Sequence, residues 1–223
     1  MLFRSLFDER TPTLPANDLP SFRVSALFLV AAVGALSLDI PVALYFKMTR
    51  CPGLIVELLD RAEPFGHFFG VAFVLIAVTL LDPEKRCRIG WAIGAALGGG
   101  MLVNGIKLLV QRTRPRVSDL ADGTVWNTFL GWQHFDSDSG HQSFPSGHTA
   151  TVVGLAVLLA AWYPRGRWLF ATLAFLVGMH RMQHLAHFPS DVCAGAAAGW
   201  FIAALCLRGD SRSVTRSVSE RPQ

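Results

Sequence analysis

Six apolar blocks constrain the fold of this chain more than any other feature. Of its residues, 52% are hydrophobic and 16% are charged, whereas soluble domains carry about a quarter charged residues. Several blocks are shorter than the roughly 20 residues that cross a bilayer as a helix, so tilt or interfacial residues must complete them. We predict an all-α polytopic membrane protein, a bundle of six transmembrane helices with both termini cytoplasmic. The blocks lie at roughly 24–46, 64–81, 89–110, 149–163, 167–182 and 190–207.

The basic residues predict the orientation of this bundle. Six spans place both termini on one side, and that side carries most of the Lys and Arg residues, which marks it as cytoplasmic. We therefore expect a cytoplasmic N-terminal segment 1–23, a membrane domain 24–207 and a cytoplasmic tail 208–223. The net charge of +4 then needs no nucleic-acid partner. The N-terminus does not resemble a cleavable signal, because polar residues precede the first apolar block.

Small residues recur in the third and sixth blocks. Spacings of four between small residues let membrane helices approach closely, so we expect these two helices at the packed centre of the bundle. The first block contains Asp39, and a carboxylate within a membrane helix is a functional candidate; its place late in the block favours a position near the far interface. The small residues are Gly94, Gly98, Gly99 and Gly100, and Gly195, Ala196, Ala197, Ala198 and Gly199.

The longest extramembrane segment, about 111–147, is predicted on the outer side. It carries Trp126, Phe129, Trp132 and Phe135. Such aromatics usually anchor a loop at the bilayer interface, and they could also form a lid over a lipid headgroup.

A first cluster of charge begins at the outward end of the third block. Lys107 is followed, after six residues, by Arg114 and Pro115. The proline holds Arg114 extended, which snorkelling of a cation to the interface does not explain. Surface placement suffices for Arg112 and Arg116.

A second cluster, Phe144 to Ala150, directly precedes the fourth block. Ser146 is a preferred residue for capping a helix start. The first backbone N–H groups of such a helix, at Gly147 and His148, have no partners within it and form an anion site with the helix dipole. Gly147 leaves room for an anion, and His148 can carry a proton there.

A third cluster consists of Arg181, His187 and Asp191. Five residues separate Arg181 from His187, and three separate His187 from Asp191. Pro189 suits the first turn of the sixth helix, so Asp191 can reach back to His187. A carboxylate bonded to one ring nitrogen leaves the other free to attack; the simpler alternative is that Asp191 only caps the helix. The three clusters together hold so much positive charge that we expect a phosphate ligand.

These motifs resemble a known family. Lys-x6-Arg-Pro, Pro-Ser-Gly-His and Arg-x5-His-x3-Asp, in this order on a six-helix membrane protein, are similar to the type-2 phosphatidic acid phosphatase superfamily. The resemblance covers residues 107–191 by motif. It implies a membrane lipid phosphatase that hydrolyses a phosphomonoester or pyrophosphate on a lipid. The active site would lie on the outer face of a bacterial inner membrane. Compatible substrates are phosphatidate, phosphatidylglycerophosphate, polyprenyl pyrophosphate and lipid A phosphate.

The resemblance also implies roles for the clustered residues. His187 forms a phosphohistidine, Asp191 orients it, and His148 protonates the leaving oxygen and then activates water. The pKa values of the two histidines should then lie on either side of about 6.5. The phosphoryl oxygens would be held by Lys107, Arg114, Ser146, Gly147 and Arg181.

No metal and no other cofactor is implied, since the cations neutralise the phosphate. In one respect the chain departs from the family pattern: His180 stands where a Ser usually precedes the Arg of the third motif. We expect this change to alter affinity or pH dependence more than the class of reaction.

Other functions remain open from the sequence. The same phosphohistidine could pass its phosphoryl group to a second lipid, and a non-catalytic membrane protein of this fold is a further alternative. A histidine metal centre would need ligands that no HExxH or carboxylate-rich pattern supplies. The four cysteines, Cys51, Cys87, Cys193 and Cys206, predict neither a disulfide framework nor a zinc site. The oligomeric state is not predicted.

The metal centre considered above would be formed by histidines from two parts of the chain. They are His180, His184 and His187, with His134, His141 and His148.

Overall fold

The computed structural model describes residues 19–120, 123–132 and 139–219, with the side chains of residues 132 and 212–219 left out. The described chain is mainly helical, with short 3-10 segments at several of the breaks between helices. Its α-helices are α1 (Phe22–Met48), α2 (Gly53–Ala62), α3 (Phe68–Leu81), α4 (Ile89–Leu109), α5 (Gly147–Trp162), α6 (Arg167–Gln183) and α7 (Pro189–Ser219).

Each of the six apolar blocks forms a helix, and α2 is an additional helix that the blocks did not predict. Three helices, Phe22–Met48, Pro83–Leu109 and Pro189–Ser211, are long and apolar enough to cross a membrane. The segments Gly53–Gly66 and Phe68–Leu81 meet at a bend of 69° and add a fourth if they form one broken span. The membrane character is therefore supported, while the count of six spans stays a prediction.

The prediction of an all-α fold was wrong in one detail, because the described residues include a two-stranded antiparallel sheet. Strand β1 (Val110–Arg112) leaves the end of α4 and pairs with β2 (Phe129–Trp132). The chain then returns to the bundle, where Ser143 N–H donates to the carbonyl of Arg112 at 2.9 Å. The sheet thus fixes the outer segment against the ends of the helices, which is where the charged clusters lie.

Close backbone contacts between α4, α5 and α7 form the centre of the bundle, as the small residues predicted. A Cβ on Gly99 would lie 3.2 Å from the Cα of Gly199. A Cβ on Gly154 would overlap the carbonyl oxygen of Ala95, and one on Gly199 would overlap that of Ala150. Only glycine allows the approaches at positions 154 and 199, whereas a larger residue at position 99 would require a shift of a few tenths of an ångström.

The end of the bundle away from the charged clusters is fixed by Asp210. This carboxylate is fully buried and accepts hydrogen bonds from Arg88 and, at 3.3 Å, from Nε1 of Trp162. It joins α7 to the start of α4 and the end of α5, so that α7 continues as part of the bundle beyond residue 207.

We expect Gly154→Ala to destabilise the protein. The added methyl group would push α5 away from α4, and overpacking of this kind costs about 1–3 kcal/mol. Gly34→Ala is the matched control, since a Cβ there meets nothing within 4 Å and alanine favours a helix by up to about 1 kcal/mol. Thermal unfolding of both variants in detergent would show a lowered midpoint for Gly154→Ala alone; equal midpoints would contradict the packing.

Candidate active site

The ends of α4, α5 and α6 lie together at one end of the bundle and bring the three charged clusters together. Lys107 lies in the last turn of α4, His148 in the first turn of α5, and Arg181 in the last turn of α6. Lys107 lies close enough to Arg114 and Arg181 for their charges to act on one another, and Lys107 and Arg181 also act on both His148 and His187. The motifs, distant in sequence, therefore form a single site.

Arg112 supports this site from beneath, and the expectation that it lies on the surface was wrong. Its side chain is fully buried and stacks between the rings of Phe129 and Phe188, at 4.5 and 4.1 Å. Its Nη2 donates to Asp39 and its Nη1 to Asp191, both at 2.6 Å. Burying a guanidinium is costly unless its charge is neutralised and its N–H groups are bonded, and the two carboxylates meet that requirement.

Asp39 has a structural position within this network. It is fully buried and accepts hydrogen bonds from Ser190 N–H at 2.9 Å and from its hydroxyl at 2.6 Å. Asp39 therefore ties α1 to the first turn of α7 and holds Arg112 between them.

Asp191 both caps α7 and supports His187, so the two alternatives weighed for it coexist. Its Oδ2 accepts from Phe188 N–H at 2.9 Å and from the Ser143 hydroxyl at 2.6 Å. The His187 Nδ1 lies 3.8 Å from this oxygen but only 2.6 Å from the carbonyl oxygen of Ser143. Asp191 thus acts on His187 mainly through Ser143, a residue that the motifs did not indicate.

The contact with Ser143 determines which ring nitrogen of His187 carries the proton. A carbonyl oxygen only accepts, so Nδ1 must be the donor, and Nε2 keeps its lone pair. The ring is 2% exposed, and this burial lowers the pKa of His187 to about 4 although Asp191 acts in the opposite direction. The imidazole is therefore neutral at physiological pH.

The start of α5 has the geometry of an anion site. Ser146 is its N-cap, and its Oγ accepts from Thr149 N–H at 3.5 Å. Ser146 N–H donates to the Asp191 carbonyl at 3.0 Å, which joins the start of α5 to that of α7. A Cβ on Gly147 would meet only Val103, at 3.9 Å, so the packing of the protein does not require glycine there.

Two arginines at the site have buried nitrogens without a partner. Nε of Arg114 and Nε of Arg181 make no hydrogen bond among the described residues. Burial, and then the charges of Arg116 and Arg181, lower the pKa of Arg114 to about 10, so Arg114 stays charged at neutral pH. Clustered cations with free donors are suited to an anion with several oxygens.

Glu63, which sequence reasoning missed, contacts the second histidine. Its Oε1 lies 3.2 Å from Nε2 of His148. It belongs to the 3-10 segment Glu63–Gly66 between α2 and α3, and no motif connects it with the site. A carboxylate favours the imidazolium form, but Glu63 does not outweigh the other effects at His148. Burial first, and then the charges of Arg181 and the neighbouring histidines, lower the pKa of His148 to about 3. The prediction that the pKa values of His148 and His187 lie on either side of about 6.5 was therefore wrong, because both lie below it.

A family model and several known proteins match this chain. The model described as the PAP2 superfamily matches residues 88–214, which contain all three charged clusters and most of the closely packed centre. The chain belongs to the PAP2 superfamily. The family predicted from the three motifs is therefore confirmed, and with it the class of enzyme, a lipid phosphatase.

Relatives within the superfamily extend the match. A protein of Rhizobium etli named lipid A 1-phosphatase is 32% identical over 205 residues, which cover 82% of this chain and 84% of that protein. The crystal structure of Aquifex aeolicus LpxE matches with a TM-score of 0.59 at 24% identity, over 77% of this chain and 95% of that one. A transmembrane PAP2-type phosphatidylglycerolphosphate phosphatase from Bacillus subtilis matches with a TM-score of 0.55 at 18% identity, over 86% of this chain and 96% of that one. The two structures support the fold.

The aromatic residues of the outer segment take different positions in this PAP2 protein. Phe129 packs inward on Arg112, and its ring centroid lies 6.2 Å from that of Phe144. Trp126 is 67% exposed, as an interface anchor would be. The Trp132 side chain and Phe135 lie outside the described residues.

The histidines weighed as one metal centre divide into separate groups. His187 contacts Ser143 and His148 contacts Glu63, whereas His180 and His184 lie together with ring centroids 4.2 Å apart. His134 is outside the described residues. His180 points its Nε2 at Asp60, at 3.3 Å.

We expect Arg112→Gln to destabilise the protein strongly. It would leave two buried carboxylates without their cation, and breaking a buried pair costs about 3–5 kcal/mol. Arg116→Gln is the matched control, since Arg116 is exposed. Denaturant unfolding in detergent would show a lower free energy of unfolding for Arg112→Gln alone. Equal free energies of unfolding for both variants would refute the supporting role of the network.

We also expect the imidazole of His187 to stay neutral from pH 8 down to about pH 5, because its burial holds the pKa near 4. Histidine-labelled protein followed by ¹⁵N NMR would show this, with His187→Ala used to assign the resonance. In the unfolded chain the histidine binds a proton near pH 6.5, whereas in the folded protein it does so only near pH 4. The contribution of His187 should therefore lower the free energy of unfolding as the pH falls from about 6.5 toward 4. A His187 resonance that titrates near pH 6.5 would contradict the burial argument.

Proposed function

We propose that this protein hydrolyses the phosphate monoester or pyrophosphate of a membrane lipid without a metal, through a phosphohistidine on His187. The observation that carries the proposal is a buried, neutral imidazole whose Nε2 lone pair is free, beside three cations. Such a group is a nucleophile, and the cations at Lys107, Arg114 and Arg181 would stabilise the charge on the phosphoryl oxygens in the transition state.

The reaction follows in two displacements. The negative charge of the bound phosphate would raise the pKa of His148, so that His148 binds a proton when the substrate does. Nε2 of His187 then forms a bond to phosphorus as the bond from phosphorus to the lipid oxygen breaks, and His148 gives this proton to that oxygen. Water then attacks phosphorus, His148 takes up a proton from the water, and the bond to His187 breaks to release inorganic phosphate. The N–H groups at Gly147 and His148 would hold the phosphoryl oxygens throughout, in agreement with Ser146 as N-cap.

An apolar cavity supports a lipid rather than a soluble substrate. It has a volume of about 920 Å³ and lies between α5, α6 and α7. Thr149, Met182 and Pro189 line it next to the site, while Ala160 and Trp168 line it farther along the bundle. Acyl chains could occupy this cavity while the phosphate lies among the cations, because apolar surface is its main lining.

Lipid A 1-phosphate is the substrate that we propose first. The relative from Rhizobium etli carries that activity in its name and matches most of both chains. The chain would cross the bacterial inner membrane six times with both termini cytoplasmic, since the basic residues favour that orientation, and the site would then face the periplasm.

The purified chain in detergent should release phosphate from lipid A faster than from phosphatidate, phosphatidylglycerophosphate, undecaprenyl pyrophosphate or the soluble ester p-nitrophenyl phosphate. His187→Ala and His148→Ala should each lower kcat/KM by at least about a thousandfold. His67→Ala is the matched control, because His67 is exposed and its ring centroid lies 5.9 Å from that of His148.

Radiolabelled lipid A separates hydrolysis from transfer, since the label should appear in inorganic phosphate and not in a second lipid. Activity should survive EDTA and be inhibited by orthovanadate. Full activity in His187→Ala would overturn the proposal. So would an activity that EDTA abolishes and zinc restores in His184→Ala, while circular dichroism shows that the protein stays folded.

A further inference from the structure

A second group of side chains joins α2 to α6 outside the phosphate site. Oδ1 of Asp60 lies 2.9 Å from Nε2 of His184 and 3.3 Å from Nε2 of His180. The three ligand atoms all lie within 4.8 Å of one another. The phosphoryl transfer proposed above does not use this group.

The arrangement has the chemistry of a zinc site. His180 and His184 are four residues apart at the end of α6, so both rings project from one face of the helix, as in known zinc-binding helices. Zinc bonds of about 2.0–2.2 Å hold tetrahedral ligand atoms roughly 3.4 Å apart. The two contacts of Asp60, at 2.9 and 3.3 Å, are hydrogen-bond distances, and all three ligand atoms lie within 4.8 Å of one another. A zinc ion would therefore replace these hydrogen bonds after a small adjustment of the side chains. Two imidazoles and one carboxylate favour Zn²⁺ over Mg²⁺, which prefers oxygen ligands.

Burial and orientation distinguish this group from a chance surface contact. The His180 side chain is 8% exposed, and its Nδ1 makes no hydrogen bond among the described residues. The ring is therefore oriented by Nε2, which points at Asp60. Asp60 and His184 are about half exposed, so an ion could reach the group from solvent and keep a water as its fourth ligand.

We propose that Asp60, His180 and His184 bind one Zn²⁺ ion, which fastens α2 to the end of α6. The site is distinct from the phosphate site and takes no part in the phosphoryl transfer.

The bound ion would stabilise the surroundings of the phosphate site indirectly. Arg181 follows His180 directly, and Glu63, which contacts His148, lies three residues after Asp60. The charges of His184 and Arg181 oppose a cation at His180, whereas the carboxylates of Glu63 and Asp60 favour one.

The test uses full-length protein in detergent, with its purification tag removed and its metal stripped by a chelator. Competition with a fluorescent zinc chelator measures the affinity, and mass spectrometry of the metal content measures the stoichiometry. Wild type should bind one Zn²⁺ per chain, at least about a hundredfold more tightly than Mg²⁺. Asp60→Asn and His184→Ala should each weaken zinc binding by at least about tenfold, because even second-shell losses cost that much.

Glu57→Gln is the matched control for Asp60→Asn. Both changes remove one carboxylate charge from α2, but Glu57 pairs with Arg61 in solvent and should leave zinc binding unchanged. Zinc should also raise the thermal midpoint of wild type and Glu57→Gln, and not that of Asp60→Asn or His184→Ala. If Asp60→Asn does not fold, the half-exposed His184→Ala decides.

Two results would overturn the proposal. Wild type that binds no zinc would leave the group as a pair of hydrogen bonds from the imidazoles to one carboxylate. Equal zinc affinity in wild type, Asp60→Asn and His184→Ala would place the bound ion elsewhere on the chain.

Discussion

The buried guanidinium of Arg112, held between the carboxylates of Asp39 and Asp191, is the interaction on which the rest of the site depends. A charge with no exposure to water is tolerated only where partners neutralise it, so α1, β1 and α7 must meet at this point. This ion pair is connected to His187 by hydrogen bonds. The Ser143 hydroxyl donates to Asp191, and Nδ1 of His187 donates to the Ser143 carbonyl. A structural ion pair thereby sets the tautomer of the proposed nucleophile.

Beside this ion-paired network, the cations of the site are not matched by the same number of carboxylates. Buried Nε atoms of Arg114 and Arg181 have no partner among the described residues, and Lys107 lies close enough to act on both. Such a group is stable only at some cost in repulsion, which an anionic ligand would relieve. The proposed lipid phosphate fits because it brings negative charge to the cations and acyl chains to the neighbouring cavity.

The sequence was sufficient for the features that depend on local pattern. The apolar blocks form helices because their residues must be buried or face lipid. Glycines such as Gly154 and Gly199 lie at helix contacts because no larger residue fits there. The motif spacings brought the charged clusters together because each motif lies at the end of one helix or at the junction of two. Burial of Arg112 could not be predicted, since it depends on Asp39 from a distant helix, and the same holds for the contact of Glu63 with His148. The orientation of His187 could not be predicted either, because it is set by a backbone carbonyl, which is a group that every residue carries.

The central claim is that a phosphoryl group passes through the imidazole of His187. The most direct test is to mix the protein with lipid A labelled at phosphorus, stop the reaction within milliseconds in alkali, and map the label by mass spectrometry. The account predicts an acid-labile, alkali-stable phosphate on the peptide that contains His187, and none in His187→Asn. Phosphate released at the normal rate with no label on that peptide, or with label on another residue, would contradict it.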